Sequence, residues 1–187
     1  MPVVTSQRRV LAGHAALAMG VEKPPILQFW DENRQSNVYV LEAANRPQDG
    51  VSSYATIGLS DHPLMFKGRE FDSRVELAGA CGSAFLGFAN VLATTAFCVI
   101  NSGWFCALGI IFPDVVSMNK APATLSDICF AHPFLWAEEL KSTLIGDRRV
   151  TWLLAVPVSK RRLPMPRATN QSVWRHASRK WILISMT

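Results

Sequence analysis

The chain has 187 residues, 49% hydrophobic and 18% charged, with a formal net charge of +5. Its length argues for a single domain with enough apolar material to bury roughly 70% of the unfolded surface in one core. Its four cysteines, Cys81, Cys98, Cys106 and Cys129, are few and lie in or beside apolar runs without paired metal spacing, which points to reduced, buried thiols in a cytoplasmic protein.

Charge is unevenly spread. Residues 1–158 hold twelve basic and all fourteen acidic residues, a net of −2, whereas 159–187 hold Lys160, Arg161, Arg162, Arg167, Arg175, Arg179 and Lys180 and no acid. The body is therefore mildly acidic and the end strongly basic. With Trp174 and Trp181 among its residues, that end could touch nucleic acid or anionic lipid, although a charge run is more often a solvated terminus.

In chain order, Ser6 is an N-cap for a helix over Gln7–Met19, with Val10, Leu11, His14, Leu17 and Ala18 on one stripe and Gly20 as the stop. His14 reads as a satisfied histidine at the core edge. Arg8-Arg9 followed by a short apolar stretch imitates a secretory signal, but His14 interrupts it and no clear cleavage site follows, so export is not expected.

Ile26–Trp30 and Val38–Glu42 read as a hairpin with the charged tip Asp31–Asn37, and Asn45–Gly50 is turn chemistry. Val51–Leu59 is a third strand in which Gly58 signals a bulge or a close backbone approach. Asp61–Asp72 reads as a long exposed loop and Arg74–Ala78 as an alternating strand.

From Leu77 to Pro113 no side chain is charged. Within this stretch Ala84–Ile100 is apolar on nearly every helical face, the pattern of a helix buried on all sides or one in lipid. A membrane span needs about 20 apolar residues. Here Asn90, Thr94 and Thr95 interrupt the run and no Lys or Arg cluster flanks it, which favours a central core helix with Phe88, Val91, Leu92 and Phe97 buried. Trp104–Phe112 is a bulky apolar segment, Pro113–Ser126 a loop, and Ile128–Ala131 and Val150–Val158 complete the strands. This order predicts an α+β single domain, a mixed β-sheet packed on the Ala84–Ile100 helix plus an N-terminal helix. The domain is expected over 1–158, with 159–187 as a basic, poorly packed tail.

Chemistry-bearing motifs are sparse. Cys129 with His132 is one half of a zinc site, so no metal is expected. Cys81 with His132 could form a thiol pair, and Ser60-Asp61-His62 sets three catalytic residue types together, but adjacency rarely delivers triad geometry. There is no phosphate loop, dinucleotide fingerprint or paired-carboxylate helix face. No cofactor and no catalytic residue is assigned, which favours a binding protein over an enzyme.

Several segments resemble the bacterial suppressor-of-fused domain: Val51–Ser60 followed by Asp61-His62-Pro63, Arg74–Leu77, Trp104-Phe105 with Ile111–Val116, Pro133–Trp136, and Trp152–Pro157. The likeness covers about Ile26–Ser159. It implies an immunity protein, or antitoxin, that neutralises a secreted toxin encoded beside it, many such toxins being nucleases, by binding and without catalysis. At Lys160 the chain departs from the family's pattern of an acidic closing helix rich in Leu, Glu and Phe, as a reading-frame change or a foreign end would.

A DNA-gripping toxin carries a cationic face, and an inhibitor gains on-rate by presenting carboxylates to it. The toxin-binding candidates are therefore Asp31 and Glu32 at the hairpin tip, Asp61 after the third strand, Asp114 after the uncharged run, and Glu138-Glu139 after Trp136. Asp114, inside Phe112-Pro113-Asp114, equally suits a turn or cap. The expected partner is thus a cognate protein toxin, a DNase in particular, met in the cytoplasm, with neither nucleic acid nor a membrane span involved. Two other readings stand beside it: a nucleic-acid or regulatory module acting through the basic tail, and a small enzyme using Cys81 or His62.

Overall fold

The computed structural model describes residues 4–119, 124–136 and 138–159. The basic stretch 160–187 lies outside the described residues, as does everything expected of its packing. The chain begins with helix α1 (Ser6–Ala18), capped one residue earlier than expected, because the Thr5 hydroxyl accepts the Arg8 N–H at 3.2 Å. Strands β1 (Ile26–Trp30), β2 (Asn37–Ala43) and β3 (Val51–Ile57) follow, then a small hairpin of β4 (Met65–Phe66) and β5 (Arg69–Glu70) inside the segment expected to be loop. That segment is not wholly exposed, since Leu64 is buried. Next come β6 (Ser73–Gly82), helix α2 (Phe88–Ser102), β7 (Ile111–Phe112), β8 (Asp127–Ala131), β9 (Thr143–Ile145) and β10 (Arg148–Val158).

The main sheet runs β1-β2-β3-β6-β10-β8-β7, with β9 pairing the first part of β10 beyond the reach of β8. It is mixed. β6 and β10 are parallel, Leu77 beside Leu153, and every other pair is antiparallel. A parallel neighbour requires a long crossover, and the chain from Gly82 to Arg148 supplies it with α2, β7, β8 and β9.

Alternation sorts the strands onto two apolar layers. Val38, Val40, Tyr54, Val75, Leu77 and Leu153 face α2, while Leu41, Ala55, Ile57, Ala78, Trp152 and Leu154 face α1. Of α2, Phe88, Val91, Leu92 and Ala96 are fully buried, whereas Asn90 and Asn101 are exposed. Phe97 is only half-buried, so the helix is enclosed on most faces rather than all. The Phe88 ring lies against β6 where Gly79 has no side chain; a Cβ there would come within 2.5 Å of it. The helix starts at Phe88 instead of Ala84 because Ser83–Gly87 turns, the Phe85 N–H bonding back to Gly82 and the Ser83 N–H to Gly50. It stops at Gly103, whose φ of 63° suits a residue lacking Cβ. Among the described residues no helix is long and apolar enough to cross a membrane.

Candidate functional site

Strand directions decide which candidates share an end of the sheet. Antiparallel β1, β2, β3 and β6 bring the β1–β2 tip, the end of β3 and the start of β6 to one end. Asp31, Glu32 and Asp61 therefore lie at that end. Asp114 follows β7, which runs parallel to β10 through their common neighbour β8, and so it lies at the opposite end. Glu138 and Glu139 sit between the buried Trp136 and Leu140, on the α1 face near β9. The six carboxylates do not form one patch.

The end that holds Asp61 is built around a buried carboxylate that sequence reasoning missed. At Thr56 the β3–β6 ladder opens, and the Thr56 hydroxyl takes over pairing by accepting the Leu77 N–H at 2.8 Å. Glu76, fully buried, reaches into the gap. It accepts the Thr56 hydroxyl at 2.7 Å, the Gly58 N–H at 2.8 Å, and the Ser60 N–H and hydroxyl at 3.1 and 2.7 Å. Burial pushes its carboxyl up to about 7, and these hydrogen bonds oppose the rise. The chain then turns through Gly58, at φ 103°, into a short 3-10 turn, Leu59–Asp61.

Gly58 also lies against the Arg8 guanidinium, which a Cβ would meet at 2.9 Å. The close approach read from Gly58 is thus to a side chain of α1. Arg8 Nε donates to Asp61 at 2.6 Å, its Nη1 donates to Asn37 at 2.7 Å, and its guanidinium lies 5.4 Å from the Tyr39 ring centre. Asp61 is thereby paired within the fold, and a cation from any partner would have to share it. A shallow opening of about 10 Å³ beside Asp61, lined by Gln7, Leu11, Ser60 and Arg148 among others, has room for about one water.

The hairpin tip is differently arranged. Asp31 caps its own loop, accepting the Gln35 N–H at 2.8 Å, and also accepts the Asn101 side-chain amide at 3.3 Å, which ties the tip to the end of α2. Glu32 is exposed beside it and makes no ion pair among the described residues. Asp114 has φ 62°, donates its N–H to Asp127 at 3.0 Å and receives the Ser117 hydroxyl on its carbonyl, the turn role expected as its alternative. Glu138 pairs with Lys141 at 2.6 Å in full exposure, and that cation holds its carboxyl below the usual range.

The enzyme candidates separate. Ser60 points its hydroxyl at Glu76 and Asp61 turns to Arg8, so Ser60-Asp61-His62 is not a relay. Burial, ahead of the neighbouring charges, moves the His62 pKa down. Burial pushes the Cys81 thiol up to about 11, and the thiol donates to the Phe85 carbonyl at 3.7 Å and lies beside Tyr54 and Glu42, not His132. Among the described residues no cluster of three or more His, Cys, Asp or Glu could hold a metal ion. His14 stacks on Trp152 with ring centres 6.3 Å apart, but its Nε2 is buried without a hydrogen-bond partner, so it is not the satisfied histidine expected.

The family model described as suppressor of fused protein matches residues 34–170. A relative from Bacillus subtilis (strain 168), "Immunity protein YqcF", is 40% identical over 157 residues, 84% of this chain and 81% of that protein. Among solved structures, a suppressor of fused homologue from Neisseria gonorrhoeae superposes with a TM-score of 0.57 at 13% identity, covering 82% of this chain and 78% of the other, which speaks for the fold alone.

Proposed function

Because this chain belongs to the suppressor of fused family, with a relative that carries an immunity role in its name, we propose that it is an immunity protein that neutralises a cognate toxin by binding it. The 40% identity across four-fifths of both chains carries the reading. We take the toxin to be a nuclease, secreted in bacterial competition, encoded beside this protein and met in the cytoplasm. The exposed Glu32 at the hairpin tip supports a cationic partner, since Asp61 is already engaged by Arg8. Glu138, Glu139 and Asp114 would contribute only if the toxin wraps onto the α1 face or the far end.

Co-expression with the product of the adjacent upstream gene tests the reading. Protection of the cells and co-purification of the two proteins are expected, and the absence of both would reject it. The docking end is tested separately. Reversing Asp31 and Glu32 together to Lys is expected to slow association and flatten its salt dependence, whereas equal on-rates across salt would remove this end from the interface.

A further inference from the structure

The Thr56 hydroxyl has one hydrogen to give and two acceptors within reach. It donates to Glu76 Oε2 at 2.7 Å, and the Leu77 carbonyl oxygen lies 3.4 Å away. Its own oxygen accepts the Leu77 N–H at 2.8 Å. The β3–β6 register ends at Ala55 opposite Ala78, so both backbone groups that Leu77 turns toward β3 meet this one side chain.

The two carboxyl oxygens of Glu76 are not equivalent. Oε1 accepts three donors, the Gly58 N–H, the Ser60 N–H and the Ser60 hydroxyl, whereas Oε2 meets the Thr56 hydroxyl alone. A protonated carboxyl keeps one acceptor oxygen and turns the other into a donor. Three donors on Oε1 reserve it as the acceptor, so the proton belongs on Oε2. There it faces a hydroxyl that has another acceptor to turn to.

The charged groups around this site are occupied with one another. Arg74, on the same strand, pairs with Glu70, and Arg148 of β10 lies 3.8 Å from Asp147. Asp61 of the 3-10 turn is held by Arg8 of α1, His14 of α1 stacks on Trp152, and β3 brings no charged side chain. His62 follows the turn, its pKa moved down by burial. Burial and hydrogen bonds, rather than any of these groups, set the Glu76 carboxyl. Ser60, whose hydroxyl holds Oε1, also lines the small opening beside Asp61, which gives solvent protons an approach to the buried acid.

We propose that Thr56 and Glu76 form a proton-operated hydrogen-bond switch: when Oε2 takes up a proton, the Thr56 hydroxyl reverses, accepting from the acid and donating to the Leu77 carbonyl. Every polar group at the opening of the ladder then keeps a partner in both states. The turn Leu59–Asp61 stays in place because Oε1 retains its three donors, and the proton is registered on the backbone of β6 instead.

Carbon-13 NMR of the full chain, labelled at the backbone carbonyls and at the Glu side chains, tests this across a pH series. The Leu77 carbonyl is expected to move downfield as the Glu76 carboxyl is protonated, with the same midpoint. Thr56→Ser is expected to keep that movement. Thr56→Val is expected to abolish it while Glu76 still titrates, which separates a reversing hydroxyl from mere proximity of Leu77 to the charge. If Thr56→Val fails to fold, Glu76→Gln carries the same readout. Its side-chain amide donates where the protonated acid would, so the Leu77 carbonyl is expected at its acid position at every pH. A Leu77 carbonyl that stays still through the Glu76 titration, one that moves unchanged in Thr56→Val, or one held at its alkaline position in Glu76→Gln would overturn the proposal.

Discussion

Glu76 accepts four hydrogen bonds from uncharged donors, yet burial still lifts its carboxyl to about 7, because the fold holds it away from water at the opening of two strands. The sign of its pH effect follows. A carboxyl whose folded pKa lies above the ordinary value near 4.5 binds an extra proton in the folded state between those limits, so its contribution to stability falls as pH rises from about 4.5 to 7 and is level above. Denaturant unfolding of wild type and Glu76→Gln at pH 5 and pH 8 checks this: the wild-type stability relative to the variant is expected to be lower at pH 8. Glu76→Ala leaves the Gly58 and Ser60 N–H groups without their acceptor and is expected to cost more than about 2 kcal/mol, loosening the corner that presents Asp61. None of this was legible in Arg74–Ala78, where alternation says which side a residue takes but not that the ladder to β3 opens beside it. Gly58 was legible as a special position, and its φ of 103° bears that out, but its partner Arg8 is fifty residues away in sequence and no local pattern joins them.

At the scale of elements, hydrophobic pattern located the strands β1, β2, β3, β6, β8 and β10 and both helices, and erred at their limits and on the shortest pieces. Helix α2 starts four residues late because apolarity continues through Ser83–Gly87, where the backbone turns, and a count of apolar residues does not distinguish a turn under the core from a helix within it. β9 escaped notice because three residues carry too little periodicity; it exists as the partner of β10 across a turn in which Gly146 has φ 63° and packs against Gln7. The expectation that matters most concerns α2. Leu92 is fully buried between α2 and the sheet, so Leu92→Ala is expected to cost about 2 to 5 kcal/mol in urea unfolding. Asn90→Ala, two residues away on the exposed side, is expected to change stability by less than about 0.5 kcal/mol. Equal costs at the two positions would mean that the helix lies in some other orientation.

For the whole molecule, the question is how much of the chain the sheet needs. β10 ends at Val158 still paired with β8: Pro157 and Val158 lie opposite Ile128 and Asp127, and the Ser126 N–H closes on the Val158 carbonyl at 3.0 Å. Among the described residues, both apolar layers have a continuous set of members before Ser159. The seven positive charges of 160–187 thus follow a body of net charge −2. Removing those residues is therefore expected to leave the thermal transition nearly unchanged. It is also expected to abolish any salt-sensitive binding to DNA, because non-specific affinity rests on neutralising phosphates and the remaining surface is net acidic. The family match extends to residue 170, so a second truncation there separates the family's share of this stretch from the rest. If the chain ending at 159 melts several degrees lower while the one ending at 170 does not, residues 160–170 pack on the domain. Should either truncation lose toxin binding or protection in cells while keeping its fold, the working surface includes the basic end, and the hairpin-tip end of the sheet is not sufficient by itself.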